Sequence, residues 1–245
     1  MRKFGLIGKS LKHSFSQDYF NSFFKKECIT DAEYNLYEIS NISELPKLLD
    51  KEKDILGFNV TMPYKEAIIP YLNHSDDIVK EIGACNCVKI VDGELYGYNT
   101  DVHGFMLSII PLIEPQHHKA IILGNGGASK AVIYALEQMS IDFKVVARNP
   151  KTDKEIKWES LINKDFIDTN IVINTTPIGM YPNVNEFPQI PYEVFSRFHL
   201  VYDLIYNPPE TQFLIKAKEY DTVTKNGFEM LNIQANKAWE IWNAN

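Results

Sequence analysis

AIILGNGGASKAVIYALEQM, residues 120–139, runs from an apolar stretch through a glycine-rich turn into a helical pattern. The apolar stretch reads as a buried strand, and Gly124 and Gly126 permit a tight turn with close backbone approach at the helix N-terminus. That setting suits a pyrophosphate. Ser129 stands where the usual GxGxxG pattern has its third glycine, so the match is incomplete, and the motif alone also reads as a structural turn. The next strand, FKVVAR (143–148), ends on Arg148, with Asn149, Lys151 and Lys154 close behind. NAD sites usually place Asp or Glu at this point for the ribose 2′-hydroxyl. A guanidinium binds a 2′-phosphate with paired hydrogen bonds instead, so the two features together favour NADP. Arg148 alone reads equally as a surface arginine.

On both sides of this unit, apolar strand-like runs alternate with helical patterns. KFGLIG precedes SQDYFNSFFKKE, YNLYEI precedes SELPKLLDKE, and after the glycine loop come NIVINTT and LVYDLIY. Such alternation implies parallel sheets covered by helices. CNCVKIVDGELYGYN reads as a hairpin, because Asp92-Gly93 favours a type I′ turn. PIGMYPNVNEFPQIP is irregular and long enough to be a working loop. FEMLNIQANKAWEIW is an amphipathic helix with Leu231, Ala235, Ala238 and Trp242 on one stripe. The expected class is α/β, with a domain boundary near residue 100.

The 245 residues suffice for one large or two modest cores. Lys+Arg 25 against Asp+Glu 32, a net charge of −7, argues against a nucleic-acid surface. No apolar run reaches membrane-spanning length, and MRKFGLIGKS has too few apolar residues for a signal peptide. Cys28, Cys85 and Cys87 form neither a disulfide framework nor a zinc pattern. The expectation is a cytoplasmic protein without a metal.

The stretch GFNVTMPYKEAI (57–68) raises a chemical question. If Phe58–Met62 is a strand, Phe58, Val60 and Met62 share one face, and Asn59 and Thr61 the other. Pro63 then opens a helix whose first turn contains Lys65, where the macrodipole disfavours a cation. A solvated lysine offset by Glu66 is one reading. Other polar residues gather at strand ends and loop starts: Ser14, Ser16, Asn86, Asn99, Thr100, Asp101 and, within the last helix, Gln234. Singly, Ser16 and Asp101 read as helix caps and Gln234 as a buried amide bonded to backbone. Jointly they place uncharged hydrogen-bonding groups at the mouth of an α/β unit, where such folds bind ligands. That set suits a small polyhydroxylated molecule.

The ordered motifs HSFSQ (13–17), NVTMPYK (59–65), GACNCV (83–88), GYNTDVHG (97–104), GNGGASKA (124–131), ARN (147–149), NTTPIGM (174–180), YDLIYNPPETQFL (202–214) and NGFEMLNIQA (226–235) resemble those of the shikimate dehydrogenases over essentially the whole chain. The resemblance implies two α/β domains with an active-site cleft between them. Residues 1–100 with 226–245 would form the substrate domain, and 101–225 a Rossmann-like NADP domain. It implies NADPH-dependent reduction of 3-dehydroshikimate to shikimate, by a monomer or homodimer that binds neither nucleic acid nor membrane. By matching position, Lys65 and Asp101 would be the catalytic pair. Ser14, Ser16, Asn59, Thr61, Asn86, Asp101, Tyr206 and Gln234 would hold substrate. Gly124, Asn125, Gly126, Gly127, Ala128, Ala147, Arg148, Asn149, Thr175, Leu204 and Gly227 would line the cofactor.

Departures from the family pattern are local. Gln17 replaces a proline in the serine loop, Asn125 a small residue between the glycines, and Cys87 a threonine. Ala147 and Asn149 replace the outer members of NRT, leaving NADP selectivity resting on Arg148. The chain also stops soon after the last matching helix, without the further C-terminal extension of many relatives. Two other readings stay open: a quinate/shikimate dehydrogenase of broader range, and a non-catalytic sensor of a shikimate-pathway ligand. Retention of both Lys65 and Asp101 counts against the sensor, which needs no acid/base pair.

Overall fold

Side chains along Lys119–Leu123 alternate between two cores, as a strand buried on both faces requires. Ala120 and Ile122 join Phe105, Ile173 and Tyr202, while Ile121 and Leu123 join Val146, Val172 and Phe213. The computed structural model describes residues 1–11, 14–150 and 152–244. Lys151 therefore lies outside the described residues. The chain divides into two compact units, Met1–His103 with Gln234–Asn245, and Gly104–Ile233.

In the first unit the strands are β1 (Arg2–Gly8), β2 (Ala32–Glu38), β3 (Ile55–Val60), β4 (His74–Ser75), β5 (Cys87–Val91) and β6 (Glu94–Tyr98). They form one sheet in the order β2-β1-β3-β5-β6-β4. β1 runs parallel to β2 and β3, whereas β3–β5 and β5–β6 are antiparallel. The β5–β6 turn has φ of 52° at Asp92 and 83° at Gly93, both left-handed as a type I′ turn needs. Helices α1 (Ser16–Lys26), α2 (Leu45–Lys51), α3 (Tyr64–Ala67), α4 (Asp77–Ile82) and the start of α5 (Thr100–Ile109) connect the strands. Phe4, Phe20, Phe24, Tyr34 and Trp242 pack into one core of this unit, and Ile7, Phe58, Val60, Ile68 and Val88 into another.

β3 ends at Val60, two residues before the expected Met62. Phe58 and Val60 share one buried core and Asn59 is buried too, but Met62 is 61% exposed. Thr61 N–H still donates to Ile7 O of β1 (3.0 Å), but its carbonyl already accepts from Tyr64 N–H (2.9 Å) to begin α3.

The second unit holds β7 (Lys119–Leu123), β8 (Asp142–Ala147), β9 (Glu155–Lys157), β10 (Ile171–Asn174), β11 (Leu200–Asp203) and β12 (Val223–Lys225). All pairings are parallel, in the order β12-β11-β10-β7-β8-β9. Numbered within the unit this is 3-2-1-4-5-6 read from the other edge, the doubly wound dinucleotide-binding arrangement, whose direction switches between β7 and β10. Helices α6 (Gly127–Gln138), α7 (Asn163–Ile167) and α8 (Gln212–Lys218) are its own, and α9 (Phe228–Asn243) begins in it. β10 and β11 stop at Asn174 and Asp203, short of the runs NIVINTT and LVYDLIY, so Thr175 and Leu204 fall just beyond strand ends. Among the described residues no helix is long and apolar enough to cross a membrane.

Candidate active site

Lys65 is the second residue of α3, and Asp101 the second residue of α5. The hairpin carries the chain back so that the two side chains meet. Lys65 Nζ donates to Asp101 Oδ2 at 2.6 Å, with side chains only 18% and 8% exposed. The carboxylate thus balances the charge that a helix start disfavours. Asp101 is not a cap. That task belongs to Asn99, whose Oδ1 accepts from Val102 N–H (3.2 Å) while its Nδ2 donates to Ala84 O (2.9 Å).

Asn86 secures the other oxygen. Its Nδ2 donates to Asp101 Oδ1 (2.9 Å) and Thr100 Oγ1 (3.0 Å), and its Oδ1 accepts from Thr100 N–H (2.7 Å). Asn86 immediately precedes β5 and its backbone is held from both sides, its N–H donating to Tyr98 O (3.2 Å) and its carbonyl accepting from Val60 N–H (2.9 Å). Asn59 extends the network: its Nδ2 donates to Asn86 O (3.2 Å), and its Oδ1 accepts from Tyr34 Oη (2.9 Å). Thr100 Oγ1 donates to Gln234 Oε1 at 3.3 Å. Gln234 is half-buried, and this bond ties it to a side chain, not to the backbone expected of a buried amide there.

Ser14 and Ser16 flank Phe15 at the start of α1. Ser14 Oγ accepts from Ser16 N–H (3.3 Å), and the cap position falls on Phe15 rather than Ser16. Gln17 Nε2 donates to Tyr34 O (3.0 Å), a tie that a proline at this position could not make. Tyr34 carries no signal in the sequence, being one aromatic in a strand, yet its hydroxyl and carbonyl link two of the candidate segments. Lys65, Asp101, Asn86, Asn59 and Gln234 are thus joined by hydrogen bonds within the first unit, whereas Tyr206 belongs to the second. Burial pushes the Cys85 thiol up to about 12 and the Cys87 thiol well above its ordinary value, so neither is a nucleophile near neutrality.

In the second unit the glycine loop follows β7. Gly124 has φ of +106°, and a Cβ there would lie 2.8 Å from Thr175 Oγ1. Thr175 Oγ1 itself donates to Leu123 O (2.8 Å). Gly126 is the N-cap of α6, and a Cβ added to it would meet no atom within 4 Å. An open space at the N-terminus of a 12-residue helix, with Gly127 and Ala128 in the first turn, fits a pyrophosphate. Ser129 occupies the missing third-glycine place by burying itself and donating from Oγ to Gly126 O (2.6 Å). Asn125 turns its amide to Glu155 Oε2 (3.4 Å), a carboxylate on β9 that the sequence did not mark.

Ala147 ends β8 buried, and Arg148 and Asn149 follow it exposed. Lys154 lies 4.2 Å from the Phe143 ring and 3.6 Å from Glu137. Among the described residues the Arg148 side chain has no hydrogen bond or ion pair. Leu204 N–H donates to Asn174 O (3.0 Å). Gly227 lies so close to Leu204 that a Cβ would sit 2.0 Å from its carbonyl oxygen, which only glycine tolerates. Gly124, Thr175 and Leu204 therefore follow the C-terminal ends of adjacent strands, at and beside the switch point. Among the described residues no group of three or more His, Cys, Asp or Glu side chains is arranged to hold a metal ion.

A family model described as the shikimate dehydrogenase substrate binding domain matches residues 6–88. A shikimate dehydrogenase (NADP(+)) of Clostridium beijerinckii is 40% identical, over 99% of this chain and 92% of its own length. The chain belongs to the shikimate dehydrogenase family. The crystal structure of shikimate dehydrogenase 1 from Peptoclostridium difficile superposes with a TM-score of 0.87 at 38% identity, covering 99% of this chain and 91% of that one. The shikimate 5-dehydrogenase of Thermus thermophilus, crystallised with NADP(H) and shikimate, gives 0.87 at 28% identity, covering 99% and 94%.

Proposed function

We propose that this chain is an NADP-dependent shikimate dehydrogenase, reversibly reducing 3-dehydroshikimate to shikimate on the route to chorismate and the aromatic amino acids. The observation that carries the reading is the Lys65–Asp101 pair at 2.6 Å, held in place by Asn86. When bound, the nicotinamide supplies the hydride acceptor in oxidation and the donor in reduction. The rest falls to side chains. In reduction, negative charge develops on the substrate oxygen, and the Lys65 ammonium donates its proton there. In oxidation the same nitrogen takes the hydroxyl proton back. A positioned acid/base group of this kind contributes about 10²–10⁴-fold.

Asp101 keeps the ammonium aimed and accepts from a substrate hydroxyl. Asn59, Thr61, Asn86, Ser14, Ser16, Tyr206 and Gln234 hold the remaining hydroxyls and the carboxylate. Gly124 to Ala128 receive the pyrophosphate, and Arg148, with Ala147 and Asn149, receives the 2′-phosphate. Thr175, Leu204 and Gly227 bound the nicotinamide end. We assign the substrate to the unit Met1–His103 with Gln234–Asn245 and the cofactor to Gly104–Ile233. The protein acts in the cytoplasm, as a monomer or homodimer.

The test is to mix purified protein with NADP+ and shikimate and follow nicotinamide reduction by absorbance, with NAD+ and quinate in parallel. Fast turnover confined to NADP+ and shikimate is expected. Comparable rates with NAD+ or quinate would move the assignment to the broader dehydrogenase, and binding of shikimate without turnover would make the chain a sensor.

A further inference from the structure

Asp203 closes β11 and is fully buried. Its Oδ1 accepts from Asn174 Nδ2 (3.1 Å) and from Ile205 N–H (3.1 Å), and its Oδ2 accepts from Thr211 Oγ1 (2.6 Å). No lysine, arginine or histidine is among these partners. A buried carboxylate without a cation is costly unless several donors converge on it. The phenol of Tyr192, from the short helical turn Tyr192–Val194, and that of Tyr202, its neighbour in β11 on the opposite face of the sheet, are the titratable groups it acts on. Burial raises both, so neither carries charge near neutrality.

The geometry sets the orientation of everything attached to it. Asn174 is the register partner of Asp203 on β10, so the two side chains leave the sheet on one face. An ionised carboxylate only accepts, which turns the Asn174 amide so that its NH₂ faces Asp203. Its Oδ1 is then left to accept from Thr176 N–H (3.0 Å) and Thr176 Oγ1 (2.6 Å). Thr211, its hydroxyl hydrogen directed at Asp203, accepts from Leu214 N–H (3.4 Å) as the N-cap of α8. Three segments, 174–178, 203–205 and 211–214, are thereby fastened to one side chain.

We propose that Asp203 is a positioning residue for the cofactor: in its ionised form it fixes the strand ends that present Thr175 and Leu204, and so sets the affinity for NADP. The inference rests on the cofactor assignment above. Protonation would convert one acceptor oxygen into a donor facing Thr211 and loosen the arrangement. Burial pushes this carboxyl up to about 7, so the change falls in the neutral range.

NADP+ binding to the protein alone, measured by calorimetry below and above neutrality, tests the proposal. Wild-type affinity should rise through neutrality. Asp203→Asn should weaken binding roughly tenfold at the upper end, the loss expected for a hydrogen bond to a charged group. It should also lose the part of the pH dependence that does not come from the cofactor phosphate. In the cofactor-free protein, protection of the Ile205 and Thr176 amides from hydrogen exchange should fall in the variant. A folded Asp203→Asn with wild-type affinity and an unchanged pH profile overturns the proposal. If that variant does not fold, Thr211→Val serves: a smaller loss in the same direction is expected, and unchanged affinity overturns the proposal. Wild type that binds no NADP+ at any pH refutes the cofactor assignment instead. The role of Asp203 is then decided by Ile205 protection without cofactor, which should be lower in Asp203→Asn than in wild type and overturns the proposal if the two are equal.

Discussion

Lys65 and Asp101 come from segments far apart in sequence, and each is placed in the first turn of its own helix. Replacing Lys65 by alanine removes the acid/base nitrogen and leaves a carboxylate largely buried with no counter-charge. Turnover should fall about 10²–10⁴-fold while KM changes much less, and steady-state kinetics on variant protein with a native far-UV spectrum decides it. Near-normal turnover would end the role. Arg148 behaves differently because it is exposed and its side chain has no hydrogen bond or ion pair among the described residues. Arg148→Ala should weaken NADP+ binding by roughly tenfold to a hundredfold, the range for charge-assisted hydrogen bonds, and NAD+ binding far less. Equal losses for the two cofactors would remove it as the phosphate clamp. At this scale the sequence discloses groups whose placement is odd for their type, such as a lysine at a helix start or an asparagine in an apolar run. It does not disclose Tyr34, Asp203 or Glu155. A tyrosine in a strand, an aspartate after one and a glutamate among lysines are each ordinary, and only folding brings their partners to them.

The elements that were legible are those with a local physical signature. Asp92-Gly93 specifies the β5–β6 hairpin because both residues must adopt positive φ, and the glycine turn between β7 and α6 is flanked by unmistakable periodicities. Strand ends were less legible. β3, β10 and β11 all stop earlier than their apolar runs because the following backbone is taken by other partners: the Thr61 carbonyl by Tyr64 N–H, the Thr176 N–H by the Asn174 side chain, the Ile205 N–H by Asp203. The short strands β4, β9 and β12 have no period to read at two or three residues. The capping of α5 belongs here too. Asn99→Ala removes the bond to Val102 N–H and leaves the Ala84 carbonyl without its side-chain donor. The cap alone is worth about 1 kcal/mol, which in a chain of this size lowers Tm by roughly 2–4 °C. Because Asp101 rides on the first turn of α5, kcat should fall as well. Thermal unfolding and turnover of the same preparation check both effects, and an unchanged Tm would show that the cap contributes nothing.

Over the whole molecule, Asp203 sets part of the dependence of stability on pH. In the unfolded chain an aspartate loses its proton near 3.9, whereas in the folded chain burial delays this to about 7. Between those values the folded state holds the extra proton, so its contribution to stability is greatest in acid, declines as pH rises towards 7 and is level above. Asp203→Asn abolishes that slope. The Tm difference between wild type and variant should therefore be largest in favour of wild type at the acid end of this window and shrink towards neutrality. A difference constant from acid to neutral pH would mean that the carboxyl titrates normally.

The first unit is completed by the last turns of α9, where Ala235, Ala238 and Trp242 pack with Phe4, Phe20, Phe24 and Tyr34. During synthesis those N-terminal aromatic rings emerge long before their partners. At about 5–20 residues per second, the ribosome needs on the order of ten seconds to make Gly104–Ile233 before Gln234 can follow. Throughout that interval the nascent chain carries an unfilled aromatic surface while the nucleotide-binding order of strands is free to assemble. The later-made unit is thus able to fold first, and the earlier-made one must wait for residues 234–245 to be added before its aromatic core can close.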